Sequence, residues 1–340
     1  MNFQPKEHHK SFFKKIEPSL RWDGAAPSDE VKARYRAKLS ELLGMDTFEK
    51  CSSKLEILRD RELFGNRCIS FAVQTEENYF ANCHLMMPME SDKPLPLCVC
   101  LQGHVSGAHL SLGIEKFPYD DVYLGEEELD FCIQAVKNGY IALAIEQRCF
   151  GENGGNPENG ATECSHPAHV ALMMGRTVIG ERVWDVQRVL DAMETNFSDA
   201  FTYDGSVLMG MSGGGTATYY TACLEDRISG FLSSVAVCSF YESIVEREHC
   251  ACNYVPSIAK YFDMGDMAVM IAPKYLLMAN GENDRYFPKD GSLKAYETIK
   301  GIYRSLGAES NCKMIFAEGG HNFHALENWR ELKKLMGKNI

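Results

Sequence analysis

The stretch from Val207 to Leu224, V-L-M-G-M-S-G-G-G-T-A-T-Y-Y-T-A-C-L, constrains the fold of this chain more than any other. An apolar run from Val207 to Met209 ends in Gly210, and Ser212 is followed by Gly213, Gly214 and Gly215. Ala217, Tyr220, Thr221 and Leu224 then recur at helical spacing. G-x-S-x-G between a buried strand and a helix places a serine on a sharp turn with its hydroxyl exposed at the strand end. That turn needs strained backbone angles, and side chains two residues to either side would collide, so Gly210 and Gly214 are required. The helix N-terminus aims N–H groups at negative charge developing nearby. A glycine-rich phosphate loop is the competing reading, but no Lys follows the glycines.

A serine hydroxyl is a poor nucleophile until a base removes its proton, and the base needs a third group to hold its tautomer. On this kind of turn the partners follow in the order Ser, acid, His, at the ends of later strands. The apolar run Y275-L-L-M-A-N leads into G-E-N-D, and K313-M-I-F-A leads into E-G-G-H. Asp284 and His321 are therefore the expected acid and base, with Ser212 the nucleophile. Glu282 and His324 are their rivals. The turn before Pro288 favours the reach of Asp284, and the glycines before His321 suit a close approach. The oxyanion hole is expected from the amides of Gly213 and of His104, the latter in Q102-G-H-V-S-G after the apolar run L97-C-V-C-L.

Strand and helix patterns alternate from there to the C-terminus, which indicates a parallel α/β sheet. Residues 1–50 read as a polar helical lead-in that packs on a main domain of residues 51–340, with a helix start at Pro27-Ser28-Asp29. Strands are expected within 56–88 around the turn 75–78, and at 97–101, 140–145, 207–209, 230–237, 275–280 and 313–317. Helices are expected around Leu129–Val136, over 178–195, near 292–305 and over 325–335. Residues 151–169, rich in Gly, Asn, Pro and His, read as the longest irregular stretch, and 240–270 also reads as irregular.

The 340 residues, 45% of them hydrophobic, can bury a large core, and the net charge of −12 argues against nucleic acid and anionic membranes as partners. Thirteen cysteines in so long a chain do not make a compact disulfide framework. With no apolar leader at the start and no stretch of about 18 apolar residues, the expectation is a cytoplasmic chain with reduced thiols. A small-molecule ester is the expected partner, and assembly into a homo-oligomer is left open.

The chain resembles the α/β-hydrolase superfamily, specifically its acetyl xylan esterase-like and dienelactone hydrolase-like branch. The likeness runs from about residue 55 to the end. It rests on N138-G-Y-I-A-L-A-I-E-Q-R-C-F-G-E, G175-R-T-V-I-G-E-R-V-W-D-V-Q-R, G210-M-S-G-G-G, Y261-F-D-M-G-D, I271-A-P-K-Y-L-L-M-A-N-G-E-N-D and G319-G-H-N-F-H. It implies an α/β-hydrolase fold, with a mostly parallel central sheet and helices on both faces. It also implies hydrolysis of small acyl esters, with acetylated carbohydrates the usual substrates, through Ser212, Asp284 and His321. The chain departs from parts of the branch. Gln147-Arg148-Cys149 stands where cephalosporin and acetyl xylan deacetylases carry Arg-Gly-Gln, and Gly213 where they carry Gln. The bulky basic residue that glucuronoyl esterases carry near the serine is absent, and serine replaces the cysteine nucleophile of dienelactone hydrolases proper.

Other features weigh less. H249-C-A-C, with Cys250 and Cys252, is an incomplete ligand set, so neither metal nor cofactor is expected. Cys164, His166 and His169 could line the pocket or a solvated loop. Arg148 could touch substrate or hold its loop by a salt bridge. Glu126, Glu127 and Glu128 read as acids at a helix start, and Trp184 and Asp185 as structural. Two further functions compete with the esterase: an amidase or peptidase of prolyl-oligopeptidase-like type, and a non-catalytic binding protein on a hydrolase fold.

Overall fold

The computed structural model describes residues 3–337. Its centre is one nine-stranded sheet in the order β1-β2-β3-β5-β4-β6-β7-β8-β9. The strands are β1 (Leu55–Leu63), β2 (Asn66–Glu76), β3 (Tyr79–Pro88), β4 (Leu95–Leu101), β5 (Ile141–Ile145), β6 (Phe201–Met211), β7 (Gly230–Ser234), β8 (Tyr275–Gly281) and β9 (Cys312–Ala317). β1, β2 and β3 form an antiparallel meander, β3 pairs antiparallel with β5, and the six strands from β5 to β9 run parallel. The sheet is therefore mostly parallel, as the sequence implies.

The wholly apolar strands follow from burial on both sides. Val99, Leu101, Leu143 and Leu208 face one core, with the helices Asp29–Leu43, Val178–Asn196, Gly213–Leu224 and Lys289–Ser305 packed over it. Cys98, Cys100, Ala142, Ala144, Val207 and Met209 face the other, beneath the helices Phe131–Lys137 and Ala325–Leu335. Neighbours along one strand thus serve opposite layers, the period-two rule of a pleated strand. All thirteen cysteines are free thiols, and in these strands they act as small apolar side chains. The helix Asp29–Leu43 is capped by the Ser28 hydroxyl, which accepts from the Val31 amide, and it buries Tyr35, Leu39 and Leu43 in the first core. Among the described residues no helix is long and apolar enough to cross a membrane.

Two expectations need correction. The irregular stretch at 151–169 ends early, because a helix spans Ser165–Met173. Pro167 read as a loop signal, yet it sits in the first turn, where a missing N–H costs no helical bond. The strand expected over 230–237 stops at Ser234, where Val235 turns to φ 44° while its N–H still reaches the Ala279 carbonyl at 2.6 Å. Residues 240–270 hold short turns only, the longest spanning Met264–Met270 and wholly buried.

Directly after β5, Glu146 is buried and accepts from the Ala108 amide at 2.9 Å. Burial pushes its carboxyl from an ordinary 4.5 up to about 7. Between those two values the native chain holds a proton that the unfolded chain has lost, so stability falls as pH rises through the window. Glu146→Gln, which keeps an acceptor for Ala108, is expected to flatten that fall, worth at most about 3 kcal/mol. Urea midpoints of wild type and variant at pH 5 and pH 8 check it. Parallel pH dependence in both would reject the assignment.

Candidate active site

Ser212 lies between β6 and the helix Gly213–Leu224 with φ 53° and ψ −117°, the strained serine turn that the motif requires. Backbone bonds hold it there: the Ser212 N–H donates to the Ser234 carbonyl at 2.9 Å, and its carbonyl accepts from the Thr216 N–H at 2.8 Å. The glycines answer to close backbone contacts. A Cβ at Gly214 would stand 2.0 Å from the Leu101 carbonyl oxygen of β4, and one at Gly210 would stand 2.4 Å from Gly214.

The loops after β8 and β9 are stitched together. Glu282 N–H donates to the Ala317 carbonyl and Asn283 N–H to the Gly319 carbonyl, both at 2.9 Å. A Cβ at Gly281 would stand 1.8 Å from the Gly320 carbonyl oxygen, so only glycine permits this approach. The result is a continuous relay: His321 Nε2 lies 2.8 Å from the Ser212 hydroxyl, and His321 Nδ1 lies 2.8 Å from Asp284 Oδ2. The other Asp284 oxygen accepts the N–H groups of Tyr286 and Phe287, at 2.8 and 3.0 Å. Phe287 stacks on the imidazole and Tyr286 meets it edge-on. The rivals stand elsewhere. Glu282 is exposed and paired with Lys289 at 2.9 Å, and His324 precedes the helix Ala325–Leu335 at φ 56°.

The Gly213 N–H opens its helix and so has no intrahelical acceptor, and the His104 N–H has no backbone acceptor among the described residues. The loop after β4 lies against the turn: a Cβ at Gly103 would stand 3.1 Å from the Ser212 Cβ, and one at Gly213 would stand 2.7 Å from the His104 ring. This arrangement can pass a proton from hydroxyl to imidazole and offers two N–H donors beside the hydroxyl.

A cavity of about 580 Å³ opens over Ser212, Gly213 and His321. Tyr123, Glu127, Thr162, Glu248, His249 and Asn253 also line it, and neither Lys nor Arg does. A larger cavity, about 710 Å³, lies between the helix Pro5–Phe13 and residues 240–260 and shares Glu248 and Asn253 with the first.

Several expected pocket residues are not there. Arg148 is buried in an ion-pair network with Asp185 at 2.7 Å and Glu76 at 2.6 Å, so it braces its loop and stands outside the cavity over Ser212. Asp185 and Trp184 are structural, the latter donating to the Thr75 carbonyl at 2.8 Å. His166 and His169 are exposed on the helix Ser165–Met173, outside the cavity. Glu126 to Glu128 do not start a helix, since the next one begins at Phe131. Glu128 instead accepts from the Ala325 N–H at 3.0 Å, capping the last helix. Glu127 reaches the cavity, and burial raises its carboxyl above the usual range. Sequence reasoning also missed Glu248 and His249 as lining residues, because no periodic pattern marks the 240–260 loop. Nor does His249 join Cys250 and Cys252. Its ring bonds the Ser243 hydroxyl at 3.0 Å, while His104 and Cys164 approach the two thiols.

A model of the Abhydrolase family matches residues 78–304. A Bacillus subtilis (strain 168) protein named "Putative hydrolase YtaP" is 26% identical over 294 residues, covering 86% of this chain and 94% of that one. Among solved structures, a protein described as a putative acetyl xylan esterase from Bacteroides fragilis NCTC 9343 superposes with a TM-score of 0.82 at 17% identity, covering 98% of this chain and 96% of that one. Acetyl xylan esterase from Paenibacillus sp. R4 superposes at 0.59 with 15% identity, covering 97% and 99%. At such identities the structural likeness speaks for the fold, and that fold is the α/β-hydrolase one.

Proposed function

The chain belongs to the Abhydrolase family, and we propose that within it this protein is a serine esterase for small acetyl or short-acyl esters, acetylated carbohydrates foremost. The observation that carries the reading is the unbroken relay Ser212–His321–Asp284 beside the free N–H groups of Gly213 and His104. Asp284 holds the proton of His321 on Nδ1, which leaves Nε2 as the acceptor for the Ser212 hydroxyl proton. Attack of Oγ on the ester carbonyl builds negative charge on its oxygen, which the two amides stabilise. The imidazolium then gives its proton to the leaving alcohol. Water, deprotonated by the same imidazole, releases the acid from the acyl-enzyme. Each amide supplies about 2.7–4 kcal/mol of transition-state stabilisation. The names of the structural neighbours support an acetyl substrate.

The cavity lining suggests a charge preference. Glu127 and Glu248 border it with no Lys or Arg opposite, so neutral or cationic alcohols are expected to be accepted and anionic ones repelled. The test compares p-nitrophenyl acetate, butyrate and octanoate, then neutral and carboxylated acetate esters of similar size. kcat/KM is expected to fall with acyl length and to drop several-fold for the anionic alcohols. A preference for octanoate or for the anions would reject this substrate class.

The same two carboxylates favour one second reading, cleavage of an amide whose substrate carries a free amine held by Glu127 and Glu248. Hydrolysis of an aminoacyl p-nitroanilide faster than p-nitrophenyl acetate would select it over the ester.

A further inference from the structure

Behind the oxyanion loop, three segments far apart in sequence bring four ligating side chains together. His104 comes from the loop after β4, Cys164 from the residue preceding the helix Ser165–Met173, and Cys250 and Cys252 from the short turn at 250–253. Their ligand atoms all lie within 4.8 Å of one another. His104 Nε2 stands 3.2 Å from Cys252 Sγ, and the Cys250 and Cys252 sulfurs are 3.4 Å apart. Tetrahedral bonds of about 2.0–2.3 Å need ligand atoms roughly 3.3–3.8 Å from each other, so a small contraction of the group would close the shell.

We propose that His104, Cys164, Cys250 and Cys252 form a structural zinc site. Three thiolates and one imidazole are a ligand set that selects zinc over the hard oxygen-seeking cations, and four protein ligands leave no open position for catalysis.

Charge supplies the second, independent argument. Arg182 is buried to 2% exposure at the edge of the cluster. Its guanidinium donates to Cys252 Sγ at 3.4 Å, to Cys164 Sγ at 3.5 Å and to the Arg148 carbonyl at 2.9 Å, and it lies 4.2 Å over the Phe150 ring. Unlike Arg148, it forms no ion pair with a carboxylate among the described residues. A guanidinium cannot shed its proton, so its burial demands a negative neighbour. A disulfide between Cys250 and Cys252 would remove two of the candidates. A zinc ion with three thiolates and a neutral imidazole carries a net charge of −1 and matches Arg182. Loading releases the three thiol protons to solvent and oxidises nothing. The N–H donors on two of the sulfurs are the outer partners that orient metal ligands.

The position gives the ion a task. One edge of the His104 ring meets Cys252 while the other packs where a Cβ of Gly213 would be, 2.7 Å away. Zinc on Nε2 would pin the loop that packs against the Ser212 turn, tying it to the 250–253 turn and to Cys164. This consequence rests on the esterase reading; binding of the metal does not.

The test is metal content and coordination in the full chain, with Ser212→Ala alongside so that the outcome stands apart from esterase activity. Protein purified under reducing conditions without chelator is expected to hold one zinc per chain by inductively coupled plasma mass spectrometry. Cobalt exchanged into the stripped protein should show strong tetrahedral visible bands and thiolate-to-cobalt charge transfer, in wild type and Ser212→Ala equally. Cys250→Ser, at a half-buried position, should stay folded by circular dichroism yet lose the charge-transfer intensity of one thiolate and bind zinc at least tenfold more weakly; Cys164→Ser should do the same. Reduced, folded wild type that takes up neither zinc nor cobalt stoichiometrically would overturn the proposal. So would a cobalt spectrum unchanged by Cys250→Ser.

Discussion

Ser212→Ala is expected to lower kcat for p-nitrophenyl acetate by about 10⁶-fold, the order of magnitude lost when the nucleophile of such a relay is removed. The substitution deletes only Oγ. The φ of 53° at this residue is enforced by backbone bonds to Ser234 and Thr216, which alanine keeps, and its Cβ already packs beside Gly103. Thermal midpoints of the two proteins should therefore agree within a few degrees, and lost rate will report chemistry rather than unfolding. The variant should retain about 10³–10⁴-fold catalysis over water, because the amides of Gly213 and His104 still stabilise the oxyanion. Labelling by a fluorophosphonate should vanish altogether. A variant within tenfold of wild type would remove Ser212 as nucleophile and with it the esterase reading.

What could be read in the sequence was local or followed strict chain order. The serine turn announces itself because its glycines and serine lie within five residues, even though only Gly210 meets a near neighbour, Gly214, while Gly214 meets the Leu101 carbonyl of β4. Asp284 and His321 were legible because both follow apolar strands and a parallel sheet places such strand ends on one edge. The cysteine cluster was not. His104, Cys164 and Cys252 share no spacing rule, since they come from three loops brought together only in the folded chain. Arg148 illustrates the limit from the other side. An arginine past a strand end looks the same whether it awaits a substrate or a carboxylate, and its partner Asp185 lies on a helix that folds back over it. His166 misled through Pro167, whose helix-breaking character does not apply in a first turn.

Asp284→Asn is expected to lower kcat/KM by about 10⁴-fold through the tautomer of His321. The amide must choose an orientation. One oxygen position of Asp284 accepts the N–H groups of Tyr286 and Phe287, so the Asn carbonyl has to occupy it. The NH₂ group then points at His321 Nδ1, where the carboxylate oxygen stood 2.8 Å away. Donating into Nδ1 forces the imidazole proton onto Nε2, the atom that should accept from Ser212. The relay keeps its geometry and loses its base. Turning the amide over would restore the tautomer only by setting NH₂ against two N–H donors in a site where the Asp284 side chain is fully buried, which costs about 1–3 kcal/mol per unmet group. Glu282→Gln carries the contrast. Its carboxylate is half-exposed and pairs with Lys289, so its loss should change the rate less than about twofold. If the two variants fell by the same factor, the acid of the relay would be shared between them. If only Glu282→Gln fell, His321 would have to turn away from Asp284 during turnover.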